Sequence, residues 1–238
     1  MKTKALMLKI IKICVDIAMI VLIILLIGYH LLGDKTHEWL GISLFVLFLT
    51  HNALNYKWYA VLFKGKYNAV RIIQTALNFL LWIVMLSCMF SSVCVSMHVF
   101  SRINIGLARL GRDLHLLATV WAFILMALHL GWHWAYFVGW TKKTATPTNT
   151  IDFILQWLFR VIVLGICAYG LYNFIIRSLW EEMFLMTEFK MFDYDKSVFL
   201  YFVESLSIMI IFTSISYYLK KGILQLNKKK QKRRLENR

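Results

Sequence analysis

Two stretches of sequence decide the fold: HEWLGISLFVLFLTH at residues 37–51 and HLLATVWAFILMALH at residues 115–129. Each is an apolar run with a histidine at both ends, and in each run the two histidines are fourteen residues apart. Fourteen residues make just under four turns of an α-helix, so both histidines project from one face, about 21 Å apart along the axis. Two such helices side by side would present two facing imidazole pairs, His37 with His115 and His51 with His129.

The composition predicts an all-α integral membrane protein. Hydrophobic residues make up 60% of the 238 residues, and the chain has one proline. Six apolar stretches are long enough to span a bilayer. We expect residues 1–138 to form a four-helix core, residues 139–219 to add two transmembrane helices, and residues 220–238 to form a polybasic cytosolic tail. The predicted spans are residues 10–32, 37–57, 71–98, 113–138, 151–178 and 197–219.

The basic residues predict the orientation of the chain in the membrane. The net charge is +15, and 19 of the 27 Lys and Arg residues fall in the N-terminus, the second and fourth connections and the tail. Because positive residues concentrate on the cytosolic side, both termini are expected to be cytosolic. The tail is expected to lie on anionic lipid. A nucleic-acid partner is not expected.

Facing imidazole pairs suit haem iron. Two neutral imidazoles on opposite faces of a porphyrin leave the iron six-coordinate, without an open position for oxygen, which suits electron transfer. No cysteine lies in the Cys-x-x-Cys-His sequence that attaches a c-type haem. The spacing therefore predicts two non-covalent b-type haems, one near each membrane face, with the ligands His37, His51, His115 and His129.

Two further histidines are alternatives to these ligands. His133 follows His129 by one helical turn on nearly the same face, so either residue fits the position, although the equal spacing favours His129. His98 ends the predicted third helix on the outer side. It would replace His37 or bond a quinone.

Haem propionates need basic partners near the membrane faces. Arg109 and Arg112 precede His115 and suit the outer haem, whereas Lys57 or Arg71 suits the inner one. For each of these residues the alternative is an ordinary interfacial charge. Arg160 lies deeper, in the predicted fifth helix. It either extends outward to the interface or neutralises an inner propionate or a bound anionic cofactor.

Small residues within a turn of the histidines suggest space for flat macrocycles. Gly41 follows His37, Ala118 follows His115 and Gly131 follows His129. Small residues also serve ordinary packing between membrane helices, so this feature supports both interpretations.

Two other kinds of polar residue lie inside the apolar runs. Asp16 is an intramembrane carboxylate, which is a functional candidate by default. Lys12 precedes it by four residues, however, so a structural ion pair is expected. The four cysteines have no metal-cluster spacing and are expected to be buried as small hydrophobic side chains: Cys14, Cys88, Cys94 and Cys167.

Several of these stretches resemble a family of bacterial membrane cytochromes called flavinylation-associated cytochromes. They are HEWLG at 37–41, HNALNYKW at 51–58, LHLLAT from residue 114, and LHLGWHW at 128–134, and YNFIIRSLWEEMFL at 172–185 looks like an extended form of the family. The resemblance implies a cytochrome b-like core with bis-histidine haem b in the bacterial cytoplasmic membrane. It also implies that electrons pass from a quinol or another membrane donor to extracytoplasmic acceptors such as flavoproteins. More distantly, the ligand spacing is similar to that of the respiratory cytochrome b subunit.

The main hypothesis is therefore a di-haem electron-transfer protein. One alternative is a transporter or metal permease that uses the histidines as ligands. Another is a membrane anchor of a redox complex that binds no cofactor. The short connections leave little surface for catalysis, so any enzymatic activity of this chain alone would be quinone oxidation or reduction.

Overall fold

The computed structural model describes residues 2–103, 105–141, 150–187 and 197–237, and it is helical throughout, without a strand in these ranges. The predicted all-α fold is confirmed. The connections predicted after the fourth and fifth helices fall largely on residues 142–149 and 188–196, outside the described residues. The helices are α1 (Lys2–Ile27), α2 (Tyr29–Leu32), α3 (Asp34–Leu54), α4 (Lys57–Ala60), α5 (Ala69–Val95), α6 (Ala108–Thr141), α7 (Thr150–Ile176), α8 (Leu179–Met183) and α9 (Val198–Glu236).

Five of these helices are long and apolar enough to cross a membrane: Leu6–Ile27, Ala69–Val95, Ala108–Trp134, Phe153–Ile176 and Val198–Glu236. The predicted second span corresponds to α3, which has 21 residues. Its ends carry charged residues and the two histidines, which lower its hydropathy. The chain is therefore a multi-pass helical membrane protein, and α3 as a sixth span remains a prediction.

The chain divides into two compact units, and α5, α6 and α9 contribute residues to both. The first unit comprises residues 1–66, 84–119 and 184–203. Within it, α1 and α3 pack against each other in opposite directions, with Gly33 at the turn. Gly33 has φ +74°, a left-handed conformation that glycine adopts without steric cost. The buried apolar side chains of these two helices are Met19, Ile23, Leu44 and Phe48.

The second unit comprises residues 67–83, 120–183 and 204–238. Its core is the run Ala122–Ala127 of α6, in which every residue is buried. Two glycines allow α9 to approach closely. A Cβ on Gly131 would lie 2.1 Å from the Thr213 carbonyl oxygen, and one on Gly170 would lie 2.3 Å from that of Ser207. Backbone contact of this kind is how small residues bring membrane helices together.

Two features of the second unit face outward. Along α7, large apolar side chains such as Phe159 and Leu164 are exposed, as expected for a helix surrounded by lipid. The basic tail is not a separate segment, because α9 continues as a helix to Glu236. The basic side chains from Lys228 onward are exposed along this extension.

Candidate haem sites

His37 of α3 and His115 of α6 lie side by side in the first unit. The centres of their rings are 6.0 Å apart, and the ring planes are inclined by 78°. The sequence spacing predicted that these two residues would face each other, and the structure brings them together.

The environment of His115 determines which of its ring nitrogens is available. The Ser91 hydroxyl donates its only proton to the Cys88 carbonyl, 2.9 Å away. At 3.1 Å from Nδ1 of His115, the same oxygen therefore acts as an acceptor. A ring proton on Nδ1, donated to this hydroxyl, leaves Nε2 of His115 unprotonated, the form in which imidazole binds a metal.

Gly111 makes this contact possible. A Cβ at this position would lie 2.5 Å from Cβ of Cys94 and 3.5 Å from the Ser91 carbonyl oxygen. Only glycine allows the start of α6 to approach α5 this closely. Gly111 precedes His115 by one turn, so it sets the distance between His115 and Ser91. In the sequence, Gly111 lies between the predicted spans 71–98 and 113–138, whereas α6 begins at Ala108.

The two rings fit a six-coordinate metal. Metal–imidazole nitrogen bonds are about 2 Å long and the nitrogen lies about 1 Å from the ring centre, so two imidazoles on opposite sides of one metal have centres about 6 Å apart. Ordinary aromatic contacts also span this distance. The contact of Ser91 with Nδ1 of His115 leaves Nε2 as the nitrogen for a metal and adds to the fit in distance.

The ring of His37 has a nitrogen, Nδ1, that is available for a further hydrogen bond. The Tyr29 ring packs edge-on against it, with ring centres 5.1 Å apart. The buried Nδ1 of His37 has no partner with hydrogen-bond geometry among the described residues. A buried polar atom in this state costs free energy.

Glu38 fixes the start of α3 beside His37. Its carboxylate accepts hydrogen bonds from the Ser96 hydroxyl at 2.6 Å and from the backbone N–H groups of Met97 at 2.8 Å and Val99 at 2.7 Å. The N–H of His98 completes the set at 3.1 Å. One carboxylate thus holds the whole turn after α5. Glu38 was not among the predicted site residues, because nothing in a local sequence pattern connects position 38 with positions 96–99.

We expect Glu38→Ala to destabilise the protein by about 2 kcal/mol, since hydrogen bonds to charged groups each contribute about 1.5–3 kcal/mol and this site is partly exposed. Thermal unfolding in detergent measures the change. The matched control is Glu236→Ala, because Glu236 is exposed and forms only a 3.7 Å ion pair with Lys232. Equal melting temperatures for the two variants would contradict the role of Glu38.

His51, the second predicted ligand on α3, is held by Asp16 of α1. Nδ1 of His51 lies 2.7 Å from Oδ1 of Asp16, so the ring donates from Nδ1 and its Nε2 is the remaining metal-binding nitrogen. The expected pair between Lys12 and Asp16 is wrong. The Lys12 ammonium donates instead to Oδ1 of Asn55 at 2.9 Å, because antiparallel packing of α1 and α3 offers both residues partners on α3.

His129, the remaining predicted ligand, belongs to the second unit. Its ring lies 4.7 Å from that of His133, centre to centre, with a tilt of 43°. The two rings therefore share one location on α6, as the one-turn spacing predicts. The choice between them stays open. Nearby, the Lys220 ammonium donates to the Trp132 carbonyl at 2.7 Å.

The other predicted site residues lie at the surface. His98 is exposed, and the ring beside His115 is that of His37. Arg109 and Arg112 are exposed at the start of α6, where Arg109 lines a groove of about 380 Å³. Lys57 is exposed at the start of α4.

Two arginines of the second unit lie over aromatic rings of their own segments. The guanidinium carbon of Arg71 is 4.2 Å from the Tyr67 ring centre. That of Arg160 is 5.4 Å from the Trp157 ring centre, and Arg160 is exposed. This position favours the outward-extending alternative for Arg160.

The small residues near the histidines differ in what surrounds them. A Cβ on Gly41 would meet nothing within 4 Å, so this glycine borders open space beside His37. Ala118 is buried. Gly131 instead packs against α9, and this close contact explains why glycine is needed there.

The expectation that the cysteines are buried is wrong. Cys14 is exposed, and the other three are partly exposed: Cys88, Cys94 and Cys167. These residues lie on membrane helices whose apolar faces are open to lipid, so a small apolar side chain needs no protein interior there.

Taken together, the fold and these side chains define a multi-pass α-helical membrane protein with a histidine pair on neighbouring helices. Among the described residues, no three His, Cys, Asp or Glu side chains form a group that could hold a metal ion. A haem iron takes only two protein ligands, so this result does not bear on haem. Comparison with family models, curated proteins and solved structures found no match to this chain. The resemblance to flavinylation-associated cytochromes therefore stays a prediction.

Proposed function

We propose that this protein is a di-haem b-type membrane cytochrome that moves electrons across the bilayer. The observation that carries the proposal is the ring pair of His37 and His115, 6.0 Å apart, with Nδ1 of His115 held by Ser91. The matched fourteen-residue spacing assigns a second haem to His51 and His129, with His133 as the alternative to His129. This second assignment rests on the sequence and on the Nδ1 contact of His51 with Asp16.

The residues of the chain contribute orientation and access. Ser91 and Asp16 hold two imidazoles with Nε2 available, and Glu38 holds the end of α3 that carries His37. When bound, haem supplies an iron that alternates between two oxidation states without an open coordination position. Hydrogen bonds hold these imidazole rings in place before haem binds. We therefore expect the rings to move little when an electron is transferred.

In this proposal, basic side chains near the membrane faces bind the haem propionates. Arg109 and Arg112 pair with propionates of the first haem, and Lys57 or Arg71 with those of the second. Arg160 serves as an interfacial charge. Each assignment rests on position in the sequence and on the exposure of the side chain.

The partners follow from the expected location. In a bacterial cytoplasmic membrane with both termini in the cytosol, electrons would enter from a quinol or another membrane donor. They would leave to an extracytoplasmic flavoprotein or another redox protein. This topology depends on α3 as a sixth span, because five spans place the termini on opposite sides.

Transmembrane electron transfer is tested in liposomes that contain trapped ferricyanide, with dithionite added outside. Liposomes with the haem-loaded protein should lose ferricyanide absorbance much faster than protein-free liposomes. The variant His115→Ala should fall to the protein-free rate, whereas His98→Ala, which changes an exposed ring, should not. A rate for the wild type equal to that of empty liposomes would contradict transfer across the bilayer.

A further inference from the structure

The two histidines with assigned tautomers have unequal partners. Nδ1–H of His51 donates to a carboxylate, Oδ1 of Asp16, at 2.7 Å. Nδ1–H of His115 donates to a neutral hydroxyl, that of Ser91, at 3.1 Å. The contact of His51 is therefore shorter, 2.7 Å against 3.1 Å, and its partner carries a carboxyl group instead of a neutral hydroxyl.

The position of Asp16 inside an apolar span strengthens the effect of its charge on the neighbouring His51 ring. Asp16 lies near the middle of the candidate span Leu6–Ile27, where a carboxylate is costly and marks a functional site. The nearby ammonium of Lys12 donates to Asn55. The carboxylate is about one third exposed, and inside an apolar span charge interactions are screened less than in water.

Two other carboxylates lie near the pair of His37 and His115, but in the described part of the chain neither forms a hydrogen bond to a histidine ring. Glu38 and Asp34 both interact electrostatically with His37. The Glu38 oxygens accept hydrogen bonds from the turn at residues 96–99, and Asp34 is exposed at the start of α3. Asp16, by contrast, bonds directly to the ring of a candidate ligand, His51.

A carboxylate that accepts the Nδ1 proton raises the basicity of the imidazole. A more basic ligand, with a negative charge beside it, stabilises the more positive, oxidised iron. Hydrogen bonding of this kind around a cofactor is one means by which a protein sets a reduction potential. A neutral serine hydroxyl has a smaller effect.

We propose that Asp16 is a positioning residue that gives the haem held by His51 a lower reduction potential than the haem held by His37 and His115. This inference rests on the proposed function. Electrons then pass spontaneously along α3 from its His51 end to its His37 end, about 21 Å apart. With the predicted orientation, this direction is outward.

A potentiometric titration of the haem-loaded protein, followed by optical and electron paramagnetic resonance spectra, tests the inference. The wild type should show two midpoint potentials. Asp16→Asn should raise the lower one by about 59 mV or more, equivalent to a tenfold change in a one-electron equilibrium, and leave the upper one unchanged. Asp16→Glu should restore it. The matched control Asp34→Asn, which removes a carboxylate that bonds to no ring, should leave the lower potential unchanged.

A second measurement does not depend on the Asp16 variants. His51→Ala should retain one haem, and its potential should equal the higher of the two wild-type values. Retention of the lower-potential haem would overturn the inference, as would an Asp16→Asn protein with two haems and unchanged potentials. A wild-type protein without haem would overturn the proposed function itself, so the two failures are distinguishable.

Discussion

Replacing His115 with alanine is expected to reduce the haem content from about two per chain to about one, because an axial ligand is lost from one iron. The remaining haem should keep its low-spin spectrum. His115 is suited to this test, since its ring lies beside His37 and its Nδ1 is fixed by Ser91. The pyridine haemochrome assay on purified protein gives the stoichiometry.

The matched control for this variant is His98→Ala. His98 is exposed, and its backbone N–H is held by Glu38, an interaction that alanine preserves. Its haem content should equal that of the wild type. If the His115 variant kept both haems, the assignment of the first pair would be wrong.

The second large effect, a loss of stability, is expected when alanine replaces either of the two glycines that contact α9. Gly131→Ala and Gly170→Ala would each place a Cβ within 2.3 Å or less of a carbonyl oxygen of α9. The backbone of α9 must move away, and overpacking of this kind costs about 1–3 kcal/mol or more. We expect a marked fall in the melting temperature in detergent and in the yield of folded protein.

Gly41→Ala is the control for both variants, because a Cβ there meets nothing within 4 Å. Alanine also favours the helix over glycine, so its stability should equal or exceed that of the wild type. A similar loss of stability in all three variants would show that the close contacts with α9 are not the cause.

The helical class was predictable from the sequence because it depends on local composition. Apolar runs of bilayer length need internally satisfied backbone groups, which makes them helices. The fourteen-residue spacing placed His37 and His51 on one face of α3 without any tertiary information. The same rule placed His133 one turn from His129 and could not choose between them.

The contacts that hold the candidate ligands could not be predicted from local sequence periodicity. Asp16 has a lysine four residues before it and a histidine thirty-five residues after it, and only the antiparallel packing of α1 and α3 decides between them. Glu38 likewise finds its partners sixty residues away. Gly131 was noted in the sequence as a small residue near a histidine, whereas Gly111 lay in a predicted connection. Their roles as close contacts with α5 and α9 appear only when the helices are assembled.

The decisive measurement for the cytochrome proposal is the dithionite-reduced minus oxidised absorption spectrum of the purified protein, with the pyridine haemochrome assay for stoichiometry. We expect sharp, low-spin b-type bands and about two haems per chain, one for each histidine pair. One haem would confirm a cytochrome and place the error at His51 and His129, where His133 is the alternative. No haem, after expression with ample haem supply, would contradict the account and leave a histidine-bearing transporter or a cofactor-free anchor.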